Sequence, residues 1–200
     1  MNRLMTATFA ALLLCLSFYA QGQASGQATN QAPSPAPAAA RPAPAPLAIP
    51  NPHYVSIKME MDVNRPAAEV WKRVGKFCDI GEWFQVPCTI LSGTDGEVGV
   101  VRSIGNEVMV GKTELSYTYT QPVRIGQPYN LYHGTLEARP VTATTSKLVY
   151  TLVFDNSMLA DDAAREGDIA RRRTLFMNGL KNMKILAEGG TLPPRPARTP

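Results

Sequence analysis

Four tyrosines, one arginine and one glutamate are spaced as a strand-rich chain needs them in order to gather them at one site. Tyr117 and Tyr119 stand two apart in LSYTYT, Tyr132 lies in NLYHGTLEAR, Tyr150 in KLVYTLVFD, and Arg102 and Glu107 flank the turn-like SIGN. A phenol can donate or transfer a proton. An arginine beside it lowers its pKa, while a glutamate taken out of water holds its proton to higher pH. Together such groups supply an acid and a base with no cofactor. His133 and Glu137 share the strand of Tyr132 but fall on its opposite face, because successive strand residues alternate. A β-bulge at Gly134 would reverse the faces, and His133 and Glu137 would then become the second-choice acid–base pair.

Other chemistries find no residues. With two histidines, His53 and His133, and two cysteines outside the N-terminal apolar run, no ligand cluster has metal spacing, so neither a metal nor a cofactor is expected. The glycines of GTDGEVG belong to a hairpin turn, not to a phosphate loop after a strand, and no serine sits in a nucleophile elbow.

The elements that must position these side chains occupy only part of the 200 residues. Prolines cluster from Pro33 to Pro52 and again from Pro193 to Pro200, and neither stretch can join a packed core. All 16 acidic residues lie between positions 53 and 188, matched there by as many Lys and Arg. The formal charge of +4 therefore resides in Arg3, Arg41, Arg195 and Arg198, so the basic balance does not mark a nucleic-acid-binding face.

Arg3, the apolar run Leu4–Ala20 and the small residues Gly22 and Ala24 form the three-part pattern of a secretory signal peptide over residues 1–24. The competing reading is an uncleaved anchor, although the run is short for a span; Cys15 lacks the small residues before it that lipid modification requires. The expectation is an exported, periplasmic or secreted protein with no membrane span after cleavage. Residues 25–52 read as a Pro/Ala-rich linker, 53–188 as the folded domain and 189–200 as a disordered Pro-rich tail. In such a compartment Cys78 and Cys88 can form a disulfide, or remain two buried thiols.

Within the domain, Val55, Ile57, Met59, Met61 and Val63 alternate with polar residues as a half-buried strand does. A helix opens at Arg65-Pro66, a helical turn follows near Asp79–Trp83, and six strand-like runs come next, Thr89–Ser92, Val98–Ile104, Glu107–Val110, Leu115–Thr120, Asn130–Arg139 and Lys147–Asp155. A long helix from about Leu159 sets Ile169, Phe176, Leu180, Met183 and Ala187 on one face, with Arg171-Arg172-Arg173 largely off it as a solvated run. The result is an α+β chain with an antiparallel sheet.

That order, with VNRPAAEVWKRVGKF, GVVRSI, LSYTYTQP and TLEARPV over roughly residues 55–188, resembles the SRPBCC or START-like superfamily. The superfamily includes lipid-transfer domains, birch-pollen-allergen-like proteins, polyketide cyclase/dehydrase-like proteins and the plant abscisic acid receptors. The resemblance implies a helix-grip fold, a curved seven-stranded antiparallel sheet around the C-terminal helix with an internal cavity. It also implies which faces look inward: Arg102 and Ile104, Glu107 and Met109, Tyr117 and Tyr119, Tyr132 and Gly134, and Tyr150, Leu152 and Phe154. The lysine that anchors a ligand carboxylate in the hormone receptors falls at Val86, which argues against a ligand held in that way.

The expected function is thus to bind a hydrophobic aromatic or polyketide-like small molecule, with cofactor-independent chemistry of the cyclase, dehydratase or lyase type. Arg102, Glu107 and Tyr117 are the catalytic candidates; Tyr119, Tyr132, Tyr150, Met109, Phe154, Phe176 and Leu180 are the ligand contacts. The alternative is a non-catalytic carrier or receptor for a lipid, sterol or aromatic ligand. No nucleic-acid partner is expected, and the sequence leaves the oligomeric state open.

Overall fold

The computed structural model describes residue 49 and residues 51–195. The signal peptide, nearly all of the linker and residues 196–200 lie outside the described residues. Strand β1 spans Tyr54–Val63, helix α1 Ala67–Val74 and the short α2 Ile80–Trp83. Strands β2 to β7 follow at Ile90–Ser92, Val101–Arg102, Glu107–Thr113, Ser116–Thr120, Asn130–Pro140 and Ser146–Asp155. Helix α3 runs from Asp162 to Ala187.

The strands form one antiparallel seven-stranded sheet in the order β1-β7-β6-β5-β4-β3-β2, so every neighbour after the first pair is a hairpin neighbour. Strand β1 is the exception. It crosses to pair with β7 along its whole length, from Tyr54 opposite Asp155 to Val63 opposite Ser146. Its inward side chains Val55, Ile57, Met59 and Val63 are buried, as the alternation predicts.

Helix α3 begins at Asp161, whose carboxylate accepts a hydrogen bond from the Ala164 amide, satisfying one of the free N–H groups of the first turn. Phe176, Leu180, Met183 and Leu186 face the sheet and are buried against it. Chain reversal follows at Gly189, whose φ of 90° suits glycine far better than a residue with a side chain. The strand expected over Val98–Ile104 is much shorter, because Gly99 at φ 93° turns the backbone before it and Gly105-Asn106, both left-handed, turn it just after. Cys78 and Cys88 are bonded, which ties the start of α2 to the segment leading into β2.

Candidate functional site

The β3–β4 turn explains the first pair. Because Arg102 and Glu107 sit directly opposite each other across it, both side chains emerge on the concave face. There, fully buried, Arg102 donates from Nε to Glu107 Oε2 at 2.6 Å, with Nη2 2.5 Å from the same oxygen. Its Nη1 donates to the Phe77 carbonyl at 2.5 Å, and the guanidinium lies over the Phe77 and Tyr119 rings, 4.2 and 4.7 Å from their centroids. A charge buried this deeply is tolerated only with such a set of partners.

Glu107 accepts a second bond, on Oε1, from Gln121 Nε2 at 2.7 Å, and Gln121 Oε1 in turn accepts from the Tyr129 hydroxyl at 2.5 Å. A polar chain thus runs Tyr129, Gln121, Glu107, Arg102, Phe77 carbonyl. Burial pushes the Glu107 carboxyl above its ordinary value, against the opposing pull of Arg102 and Gln121.

All four tyrosines expected to face inward do so and are buried. The bulge that would have reversed β6 lies at Leu131, φ 49°, ahead of Tyr132, and leaves Tyr132, Gly134, Leu136 and Ala138 on the inner face. His133 and Glu137 consequently stay outside. His133 Nδ1 bonds the Leu131 carbonyl, and Glu137 pairs with Arg139, so the second-choice acid–base pair is not assembled.

The tyrosine hydroxyls correct another expectation. Burial raises the pKa of Tyr117, Tyr119, Tyr132 and Tyr150, outweighing the opposing effect of Arg102 or Arg172, so none is primed to lose its proton as a neighbouring arginine alone would imply. Tyr119 and Tyr150 bond each other, hydroxyl to hydroxyl, at 2.8 Å, whereas the Tyr117 hydroxyl is buried without a partner.

The interior is also divided. Between α2, α3 and the mouths of β4 to β6 lies a cleft of about 310 Å³, lined by Glu107, Tyr119, Gln121, Tyr132, Arg172 and Phe176 with apolar walls from Phe84 and Leu175. A larger cleft of about 650 Å³ opens between α1 and the β4–β5 hairpin and takes Tyr117, Met109, Trp71 and Phe77. Its rim carries Lys72, Lys76, Lys112, Asp95 and Glu114, and its one buried hydroxyl, on Tyr117, is closed off. The smaller cleft is the better candidate despite its size, because Glu107 and Gln121, the middle of the buried polar chain, line it, whereas the larger cleft meets that chain only at Phe77. Arg102, Tyr150, Phe154 and Leu180 line neither cleft; they form the packed layer behind.

Arg172 is the clearest departure from the sequence reading. Far from being solvated, it is buried, donates from Nε to Asp168 Oδ2 at 2.7 Å and lies 4.5 Å from the centroids of both Tyr129 and Phe154. Arg171 also bonds Asp168, from the exposed side. The signal was present in the i, i+4 spacing of Asp168, Arg172, Phe176 and Leu180, which places all four on one helix face. Gln121 and Tyr129 carried no comparable signal, because both stand outside the alternating runs. Among the described residues no three of His, Cys, Asp and Glu are placed to hold a metal, and no helix is long and apolar enough to cross a membrane.

This curved sheet gripping a long helix, with a buried polar chain opening on an apolar cleft, defines a ligand-binding domain of the helix-grip type. The model of the family described as polyketide cyclase/dehydrase and lipid transport matches residues 54–188, and the chain belongs to that family. No curated protein matches it. Among solved structures, an NMR structure from Thermobifida fusca is 24% identical, covering 68% of this chain and 97% of that one with a TM-score of 0.56. A crystal structure from Thermus thermophilus is 13% identical, covering 66% and 97% with a TM-score of 0.51. One from Bacillus thuringiensis is 16% identical, covering 65% and 96% with a TM-score of 0.50. These likenesses show the fold.

Proposed function

We propose that this is an exported domain that binds an aromatic or polyketide-like small molecule in the cleft between α2 and α3, with Glu107 as its proton-transfer group. One observation carries the reading: a carboxylate nearly removed from water, fixed by Arg102 and Gln121, meets a cleft walled by Phe84, Tyr119, Tyr132 and Phe176 together with aliphatic side chains. A cleft of about 310 Å³ is at the lower end of the ~300–1,000 Å³ usual for small-molecule sites, which suits a compact ring system. The Cys78–Cys88 bond supports export, since disulfides persist in oxidising compartments.

Native mass spectrometry of the exported chain should find a co-purified aromatic compound. Against that compound, Glu107→Gln should lower turnover about 100-fold while leaving affinity within a few-fold, because a general acid or base acts in the transition state. The raised Glu107 carboxyl keeps its proton to higher pH than an ordinary glutamate. If the ionised form acts as base, activity falls on the acid side at a pH above the usual carboxylate range, and Glu107→Gln abolishes that limb. Unchanged turnover in the variant removes Glu107 from the chemistry.

A second reading, a carrier without chemistry, is favoured by the tyrosines. Tyr119 and Tyr150 spend their hydroxyls on each other and all four phenols resist ionisation. In that case the bound compound is recovered unaltered, and Glu107→Gln changes affinity alone.

A further inference from the structure

The charges around the α2–α3 cleft do not cancel. Glu107 is matched by Arg102 and Arg172 by Asp168, which also takes Arg171. The remaining charged residue of the lining is Arg195, and among the described residues no carboxylate is ion-paired with it. It comes from beyond α3, from the Pro-rich segment that composition marks as a disordered tail.

Its position is built. After α3 reverses at Gly189, the chain runs back to α2, where Gln85 Nε2 donates to the Pro193 carbonyl at 2.7 Å and Arg195 Nη1 donates to the Gln85 carbonyl at 3.2 Å. Gln85 holds a left-handed backbone, φ 53°, uncommon for a residue with a side chain. That conformation persists where surroundings impose it, a pattern concentrated at ligand clamps. One residue thus meets the tail with both its side-chain amide and its carbonyl. An exposed guanidinium, held by a single long bond to a neutral carbonyl, is left at the rim beside Ile80, Phe84, Val86 and Leu175.

We infer that the ligand of this cleft is an amphipathic anion, an aromatic body with one carboxylate, sulfonate or comparable group, and that Arg195 is the residue that receives the anion. The inference rests on the α2–α3 cleft being the ligand site. Apolar walls take the ring system, and the planar guanidinium, which fits such oxyanions with paired N–H bonds, takes the charged end. The C-terminal segment is then part of the site, and selectivity between anionic and neutral ligands resides in a residue outside the sheet and helices.

Two probes sharing one ring system, anilinonaphthalene sulfonate and neutral N-phenylnaphthylamine, are titrated by fluorescence into the full exported chain. Arg195→Gln should weaken the sulfonate about 5-fold, as expected for loss of one partly exposed charge-assisted contact, and shift the neutral probe less than about 2-fold. Arg195→Lys should recover part of the difference. Arg195 is exposed at the end of the described chain, so neither change threatens folding. Leu175→Trp, at a half-exposed position of the wall, fills the cleft and should weaken both probes. If Leu175→Trp acts on both but Arg195→Gln spares the sulfonate, the anion assignment is overturned and the cleft stands. If Leu175→Trp affects neither, the ligand lies elsewhere and both readings fall.

Discussion

A hydroxyl in the interior is stable only in company, and the Tyr119–Tyr150 pair is the point at which this can be measured. Tyr119→Phe leaves the Tyr150 hydroxyl buried without its partner, and Tyr150→Phe does the converse, so each should cost about 1–3 kcal/mol in urea unfolding. The double variant removes both polar atoms together and should cost clearly less than the two losses added. Strict additivity would mean that the hydroxyls are not coupled. Alternation placed Tyr117 with Tyr119 on one face, and the family resemblance chose the inner one. What the sequence could not show is where each side chain ends: Tyr117 and Glu107 are both inward, yet one lines the cleft by α1 and the other the cleft by α3. Gly134 shows the same limit. A Cβ there would come within 2.5 Å of Cζ, Cε1 and the hydroxyl oxygen of Tyr119, so the glycine is the seat on which that tyrosine rests, a cross-strand fit invisible in either strand alone.

Among the elements, α3 was legible by its period and misread by its composition. Three consecutive arginines read as a solvated run, but a helix turns 100° per residue and the middle one faces the sheet with Asp168 and Phe176. Two different substitutions on this face should prove similarly damaging. Phe176→Ala opens a hole at the helix–sheet contact and should cost about 3–5 kcal/mol. Asp168→Ala leaves Arg172 charged among Tyr129, Tyr132 and Phe154, and should cost a comparable ~3–5 kcal/mol although it removes almost no apolar surface. Thermal or chemical denaturation compares them directly. A loss below about 1 kcal/mol for Asp168→Ala would show that Arg172 finds solvent on its own. Strand boundaries were legible wherever alternation was long, as in β1, β6 and β7. They failed at β3, where two flanking left-handed turns leave only two paired residues.

At the scale of the whole molecule, the division into a leader, a Pro/Ala linker and one domain remains our proposal, and it has a simple test. Deleting residues 21–50 should leave the melting temperature almost unchanged, because a Pro/Ala linker with Leu47 and Ile49 as its only large apolar side chains has little to contribute to a core. A drop of more than a few degrees would mean that the segment packs on the domain. The pairing of β1 with β7 has a further consequence for the order in which the chain is made. His53 bonds Asp155, 102 positions later, and every rung of the β1–β7 ladder spans a comparable gap. A growing chain therefore presents β1 early and then elongates through most of the domain before the strand that receives it exists. Closing so long a loop is slow, and until then β1 is an unpaired edge carrying Val55, Ile57 and Met59. Under the proposed export, a polypeptide that must cross a membrane extended gains from that delay, since its sheet cannot close before the last strand has emerged.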